Sequence, residues 1–350
     1  MFKTMMATAH DLILNTVFFI MGVAVLASAF SAVLAEFGIV SIVNKILTPI
    51  IQPLFGLPGV ASLGIITTYL SDNPAIISLA YENDFKKYFK KYQLPAITNL
   101  GTSFGMGLIV STFMIAQAKS GQSFLAPVII GNIGAFLGSI VSVRLMLNHT
   151  KKFYGTEEYV FSDTDTSYNM LEYRKIRNGS SFQRFLEAIL DGGKVGVDLG
   201  LSIIPGVVII CTIVMMLTNG PSPSGDYTGA AYEGIKALPW LGKKLNFILN
   251  PLFGFKSPEA IAFPVTSLGS VGAALGLVPN FLAEDLIGGN EIAVFTAMGM
   301  CWSGYLSTHV AMMDALDMRE LTTKAIVSHT IGGLFAGIIA HFLFIIYSII

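Results

Sequence analysis

The chain alternates between long apolar runs and short charged segments. Runs free of Asp, Glu, Lys and Arg cover residues 12–35, 46–71, 92–118, 120–143, 199–218, 292–313 and 325–350. A further run near 245–283 is broken by Lys256 and Glu259. A helix needs roughly 20 apolar residues to cross the hydrocarbon core of a bilayer, so most of these runs predict membrane spans. Two are different. Residues 46–71 contain Pro49, Pro53, Gly56, Pro58, Gly59 and Gly64, and 245–283 is similarly interrupted. Proline and glycine free backbone groups that hydrocarbon cannot satisfy, so such backbone is stable only beside protein or a watery cavity. These two segments are therefore expected to be re-entrant hairpins; kinked ordinary spans are the competing reading.

Lysine and arginine placement orients the spans, because basic loops stay cytoplasmic. Loop 82–91 holds Lys86, Lys87, Lys90 and Lys91, and the polar stretch 144–198 holds eight more bases. Both fall inside if 92–118 runs outward and 120–143 returns. Both termini are then expected outside, with the protein multi-pass in a cell membrane, a bacterial inner membrane being expected. The first apolar run is too long for a cleavable signal.

The chain also repeats itself. Pro53-Leu54-Phe55-Gly56 recurs as Pro251-Leu252-Phe253-Gly254, and Ile133-Gly134 as Ile331-Gly332. Thr102–Met106 pairs with Thr296–Met300, and Ser111-Thr112 with Ser307-Thr308. Each half reads as span, hairpin, span, span. Loop 82–91 carries four lysines, whereas its counterpart 284–291 carries Glu284, Asp285 and Glu291. Opposite charge places the two loops on opposite sides, so the halves are expected to be inverted. The predicted fold is an all-α polytopic membrane protein with six spans plus two hairpins. Residues 1–143 form the first repeat, 144–198 a cytoplasmic polar loop with an amphipathic lead-in, and 199–350 the second repeat. Inverted repeats with broken elements meeting near mid-membrane are an architecture of secondary transporters.

Composition narrows the function classes. Of 350 residues, 53% are hydrophobic and 12% charged, against roughly 25% charged in soluble chains. The net charge of −1 gives no support to nucleic-acid binding. Two cysteines, Cys211 and Cys301, cannot make a disulfide framework or a four-cysteine zinc site. No Gly-x-x-x-x-Gly-Lys phosphate loop or Gly-x-Ser-x-Gly elbow exists. No enzyme and no cofactor are expected; sodium or a proton would be the coupling ion.

Several polar residues stand inside or beside the breaks. Asp72-Asn73-Pro74 closes the first broken run, and unwound backbone with a carboxylate and an amide suits a cation or polar ligand. The plain alternative is that Asp72 caps a helix opening at Pro74. Ser257 and Glu259 follow Pro251–Gly254; Glu259 either faces a central cavity or favours a helix N-terminus. Thr266 and Ser267 answer Thr67 and Thr68 in the other hairpin, although hydroxyls often bond back within a helix. Asn99, Thr102 and Ser103, and Ser303 and Ser307, lie in glycine-rich helices whose small residues also serve packing. Asn132 and His329 lie at matching places in the last spans. Cys301 and His309, with nearby methionines, keep a transition-metal cargo in view. They point about 80° apart on one helix, however.

These features together resemble the nucleoside-recognition, or Gate, domain. The resemblance rests on Pro53 to Ala80, on Pro251 to Gly276, and on Phe185–Gly193 before Ile204-Pro205-Gly206. Gate domains occur in concentrative nucleoside transporters, spore maturation membrane proteins and the ferrous iron transporter. The resemblance implies a secondary transporter for a small polar solute, a nucleoside or similar. It also leaves two alternatives: a divalent metal transporter, and a membrane scaffold or sensor acting through 144–198, where Tyr154, Tyr159, Tyr168 and Tyr173 suit a cytoplasmic partner. A homo-oligomer is compatible with the pattern.

Overall fold

A computed structural model shows the chain helical, with a single isolated bridge, Lys90 to Tyr159, among the described residues. Pro74, Glu82, Ser120, 161–175 and Pro223 lie outside the described residues, as do the side chains of 83 and 84. Tyr168 and Tyr173 fall among them. The first half runs α1 (Phe2–Glu36), α2 (Ile39–Phe55), α3 (Ala61–Leu70), α4 (Ala75–Tyr81), α5 (Ala96–Thr102), α6 (Gly107–Ala116) and α7 (Leu125–Tyr154). The second runs α8 (Ser181–Thr218), α9 (Ala237–Phe253), α10 (Ala262–Ser267), α11 (Val271–Leu275), α12 (Val278–Ala283), α13 (Gly289–Cys301), α14 (Tyr305–Ala315) and α15 (Arg319–Ile349). Five of these units, α1, α5–α6, α7, α8 and α15, are long and apolar enough to cross a membrane. A sixth, α13–α14, has comparable total length but unwinds at Trp302–Gly304. The protein is an all-α, multi-pass membrane protein.

Corresponding helices meet head to tail. In α1 and α8, a Cβ on Gly192 would meet Ser28 O and one on Gly200 would meet Met21. Sequence numbers thus fall along α1 as they rise along α8. In α7 and α15, Gly134 faces Ala336 and Ala340, while Gly332 faces Ser142 and Gly138. Glycine lets each pair approach at backbone distance, which packing in lipid rewards. Gly56 and Gly254, Met106 and Gly304, and Gly134 and Gly332 are each 198 residues apart (for example 254 − 56). Pairing Thr102–Met106 with Thr296–Met300 is therefore four residues out of this register. The unwound points, Met106 with φ 55° and Gly304 with φ 76°, are the true counterparts.

The two polar loops sit at opposite ends of α7. Lys91 N donates to Glu158 O at 2.8 Å, and Val160 N to Phe89 O at 3.0 Å, just beyond the C-terminus of α7. Before its N-terminus, Lys119 Nζ donates to Leu282 O at 3.4 Å. Lys3 Nζ reaches Thr228 O, and Asn290 pairs with His341, so both chain ends lie at this second end.

Two expectations need correction. The proline-rich parts of 46–71 and 245–283 are not where the chain turns back on itself. They end α2 and α9, helices of 17 residues, roughly 26 Å at 1.5 Å per residue and at the short limit for a crossing. Ile42 and Ile46 of α2 and Trp240 and Phe247 of α9 are exposed, as suits amphipathic helices in an interface. The hairpins begin only after Gly56 and Gly254. They are α3–α4, turning at Ser71–Asn73, and α10–α12, turning at Leu268–Ser270. The stretch 144–198 is likewise helical at both ends, as the last turns of α7 and the first of α8. Its Tyr154 hydroxyl reaches Glu320 and its Tyr159 ring lies under Lys90.

Both Pro-Leu-Phe-Gly ends are closed the same way. Gly56 and Gly254 adopt φ 74° and 65°, the left-handed turn that glycine takes without strain at a helix end. In the first half, Arg144 donates to Pro53 O and Leu54 O, and Gln93 Nε2 to Gly56 O at 2.8 Å. In the second, Asn290 Nδ2 donates to Phe253 O and Gly254 O at 2.9 and 3.0 Å, oriented by His341 Nδ1.

The glycine contacts between α1 and α8 make a paired prediction. A Cβ at Gly196 would lie 2.4 Å from Val25 Cα, whereas one at Gly193 meets nothing nearer than 3.9 Å. Gly196→Ala should cost about 1–3 kcal/mol, the usual range for overpacking. Gly193→Ala should be neutral or slightly stabilising. Thermal unfolding of the two purified variants reads the difference directly.

Candidate functional site

The first hairpin ends on Asn73, which is fully buried. Its Nδ2 donates to Ser303 O at 2.8 Å, and Ser303 Oγ donates to its Oδ1 at 2.9 Å. Ser303 Oγ also lies 3.3 Å from Thr102 O. One amide therefore joins the hairpin tip to the unwound points of α5–α6 and α13–α14. Gly105 is small by necessity, since a Cβ there would stand 1.4 Å from Asn73 Oδ1. The second hairpin tip closes on the same region. Gly304 N donates to Ser267 O at 3.0 Å, and Gly304 faces Gly269 O. Ser270 caps α11 by accepting from Ala273 N.

Two other predicted residues flank this junction. Asp72 is half-buried and its carboxylate accepts from Asn73 N at 2.7 Å. It holds the tip's own backbone. Thr102 is fully buried and bonds back to Thr98 O. Ser103 does the same to Asn99 O, and Thr266 and Ser267 to Ala262 O and Pro264 O.

Asn99 lies in a different network. Its Nδ2 donates to Ser142 Oγ and Ala325 O, both at 3.0 Å. Ser142 Oγ in turn lies 2.9 Å from His329 Nδ1, and His329 Nε2 faces Cys301 O. A carbonyl only accepts, so Nε2 carries the proton and Nδ1 accepts from Ser142. This chain ties α5, α7, α13 and α15 into one body. Asn132 braces the first hairpin: its Oδ1 accepts from Tyr69 at 3.0 Å and its Nδ2 donates to Ser111 Oγ at 2.9 Å.

Three expectations are not assembled as foreseen. Glu259 stands in the short turn Pro258–Ile261, with Ser257 just before it, at the start of the second hairpin and not at its tip, as the helix-opening reading of Pro258 and Glu259 has it. Glu259 lines a polar cavity of about 540 Å³ with Glu233, Lys236 and Glu284. Ser307 is exposed on α14 and bonds back to Gly304 O. Cys301 and His309 do not converge: Cys301 Sγ points to Ala135 O, and His309 Nδ1 to Tyr305 O. No group of three metal-binding side chains occurs among the described residues.

Sequence reasoning missed Tyr69, Ser28 and Arg177. The last two line a cavity of about 340 Å³ beneath the first hairpin tip. Their partners lie far apart in sequence, so no spacing announces them.

The fold is similar to that of CNTnw, a concentrative nucleoside transporter. CNTnw in an inward-facing substrate-bound state superposes with a TM-score of 0.57 at 14% identity, over 92% of this chain and 73% of that one. CNTnw variants in an intermediate and an outward-facing state give 0.58 at 15% and 0.55 at 14%. They are covered over 75% and 74% of their lengths, each by 92% of this chain. No family model matches the sequence, and no curated protein does.

Two predictions follow the geometry. Asn73→Ala strands the buried Ser303 carbonyl and should cost about 1–3 kcal/mol. Asn73→Asp should cost more, because it sets an oxygen against that carbonyl; thermal melts of both variants rank them. In the loop between α8 and α9, Glu233 accepts from the Thr228 hydroxyl at 2.6 Å and from the Thr228 and Gly229 amides. These bonds hold its carboxyl below the usual carboxylate range. A depressed acid stabilises the fold above its unfolded value and loses that contribution as pH falls through the folded one. Amide exchange at Thr228 and Gly229, corrected for intrinsic rate, should rise as pH drops below about 4.5. In Glu233→Gln that pH dependence should vanish.

Proposed function

We propose that the protein is a secondary transporter for a small, neutral, polar solute, a nucleoside or a compound of similar size. The observation that carries this reading is the Asn73–Ser303 contact, where a hairpin tip meets two unwound helix points in one buried place. Unwound backbone at membrane depth is otherwise unfavourable, and its use beside a solute path is the rule in transporters. The likeness to a fold captured in inward-facing, intermediate and outward-facing states supports alternating access. Asn73, Thr102 and Ser303 offer amide, carbonyl and hydroxyl groups to a polar solute. Asp72 is the acid nearest them and is the candidate to take a coupling sodium ion or proton.

The end of the bundle carrying Lys90, Lys91 and the start of α8 is the cytoplasmic one, since positive segments stay inside. Both termini then face outward. The first hairpin enters from the cytoplasm and the second from outside.

Proteoliposomes loaded with the purified protein test the reading. Uptake of labelled uridine should depend on a sodium or proton gradient. Asn73→Ala should lower it about tenfold or more, the equivalent of one lost buried hydrogen bond. Ser307→Ala, whose hydroxyl is exposed, should transport normally. Uptake no faster than protein-free vesicles for nucleosides, nucleobases and small organic acids alike would overturn the proposal.

A further inference from the structure

Helix α9 leaves one face without a protein partner. Pro239, Gly242 and Phe253 are its buried residues, and Gly242 fits against Pro258, whose carbonyl oxygen would stand 2.4 Å from a Cβ there. Successive residues are set about 100° apart around a helix, which divides the rest into two sectors. Trp240, Leu241, Lys244, Phe247 and Ile248 point away from Gly242, and all are exposed. Lys243, Asn246 and Asn250 share one flank between the buried and the outward sides and are exposed as well. An apolar sector bordered by a polar one is the layout of a helix lying along a membrane interface.

The charge on this helix has one sign. Residues 237–253 contain Lys243 and Lys244 and no Asp or Glu. Neither lysine has an ion pair among the described residues. Lys244 Nζ lies 5.9 Å from the centre of the Trp240 ring. The neighbouring acids are engaged elsewhere. Glu233 accepts from Thr228 and Gly229, Asp285 pairs with Lys256, and Glu259 turns into the cavity that holds Lys236. The counterpart helix α2, 198 residues earlier (243 − 45), has a lysine at Lys45 but Ile42 and Ile46 where α9 has Trp240 and Lys244. The basic pair beside an exposed indole is therefore a feature of α9 alone.

We propose that α9 binds the headgroup of an anionic phospholipid, with Lys243 and Lys244 on its phosphate and the acyl chains along Phe247 and Ile248. The two stems are long and flexible enough to bring both ammonium groups to one phosphate. A choline or ethanolamine would find no carboxylate on this face, so the headgroup is one of net negative charge. Free phosphate would leave the apolar sector uncovered, whereas a lipid covers both. Trp240 takes the level between headgroup and hydrocarbon that indole rings favour. Because the opposite side of α9 seats Pro258, a lipid held here steadies the root of the second hairpin. The inference does not rest on the transporter reading.

Tryptophan quenching tests this on the full chain reconstituted in phosphatidylcholine vesicles. Of the two tryptophans, Trp240 is 63% exposed and Trp302 6%, so contact with a brominated lipid reports Trp240. The binding constant of brominated phosphatidylglycerol relative to brominated phosphatidylcholine should be about fivefold or more, the increment of one lysine at an anionic surface. In Lys243→Gln/Lys244→Gln that ratio should fall close to one. Lys45→Gln, which removes the same charge at the matching place on α2, should leave it intact. Thermal melts matching wild type show that the variants are folded. Equal quenching by the two lipids in the wild type would overturn the proposal, and so would a preference that survives the double substitution. A preference lost equally in Lys45→Gln would mark a response to net charge alone and sink it too. Competition by glycerol phosphate would reveal a phosphate site that needs no lipid, and quenching by neither lipid would show the face covered by protein, a second copy included; each result refutes the lipid site.

Discussion

Backbone carbonyls released inside a membrane must find donors, and this requirement shapes both halves of the protein. Where Pro53-Leu54-Phe55-Gly56 ends α2, Arg144 and Gln93 supply the donors; where Pro251–Gly254 ends α9, Asn290 does so with His341 behind it. In water such helix ends would be solvated at no cost. In hydrocarbon each lost bond costs several kcal/mol. The side chains that close these ends come from the element after the hairpin and from the last span. Each hairpin is thereby clamped at its root by the helices it must pack between.

The same requirement applies at the unwound points of the broken helices. Asn73 satisfies Ser303, and Ser303 answers Asn73, while Gly304 N finds Ser267 O on the other hairpin. Groups so interlocked are mutually satisfied in this arrangement; under the proposed transporter reading, another arrangement would offer them to a solute. A solute that replaces these bonds in kind meets little added polar cost, which is the physical basis for placing substrate contacts at broken backbone. The Asn99–Ser142–His329 chain has a different task. All its donors and acceptors are matched within the protein, so it binds α5, α7, α13 and α15 as a unit. Asn99 and Asn73 are both buried amides, yet only Asn73 stands at a break.

Glycine separates the packing from the chemistry. Gly192, Gly196 and Gly200 bring α8 against α1, while Gly134, Gly138 and Gly332 bring α7 against α15. The cavity lined by Ser28 and Arg177 lies where the first pair faces the first hairpin, a boundary between two tightly packed groups.

The amino-acid sequence by itself determined the membrane class and the all-helical, multi-pass architecture, and it carries the repeated Pro-Leu-Phe-Gly motif. Apolar runs, charge bias and the Pro-Leu-Phe-Gly motif are local properties, and hydrocarbon reads them locally. It also pointed to Asn73 and Ser303, since an amide before proline and a serine in a glycine-rich helix stand out in composition. It left Glu259 open between a cavity and a helix N-terminus, because a proline-glycine cluster marks a broken helix without saying whether the chain turns there or one element later. Only the tertiary structure decided that Ser307 faces outward and that Cys301 and His309 diverge. It alone set Ser28, on the first span, and Arg177, before the fourth, along one cavity. Such partners lie about 150 residues apart, and no periodicity relates them. Their meeting depends on how two antiparallel helices pack, which is a property of the whole fold.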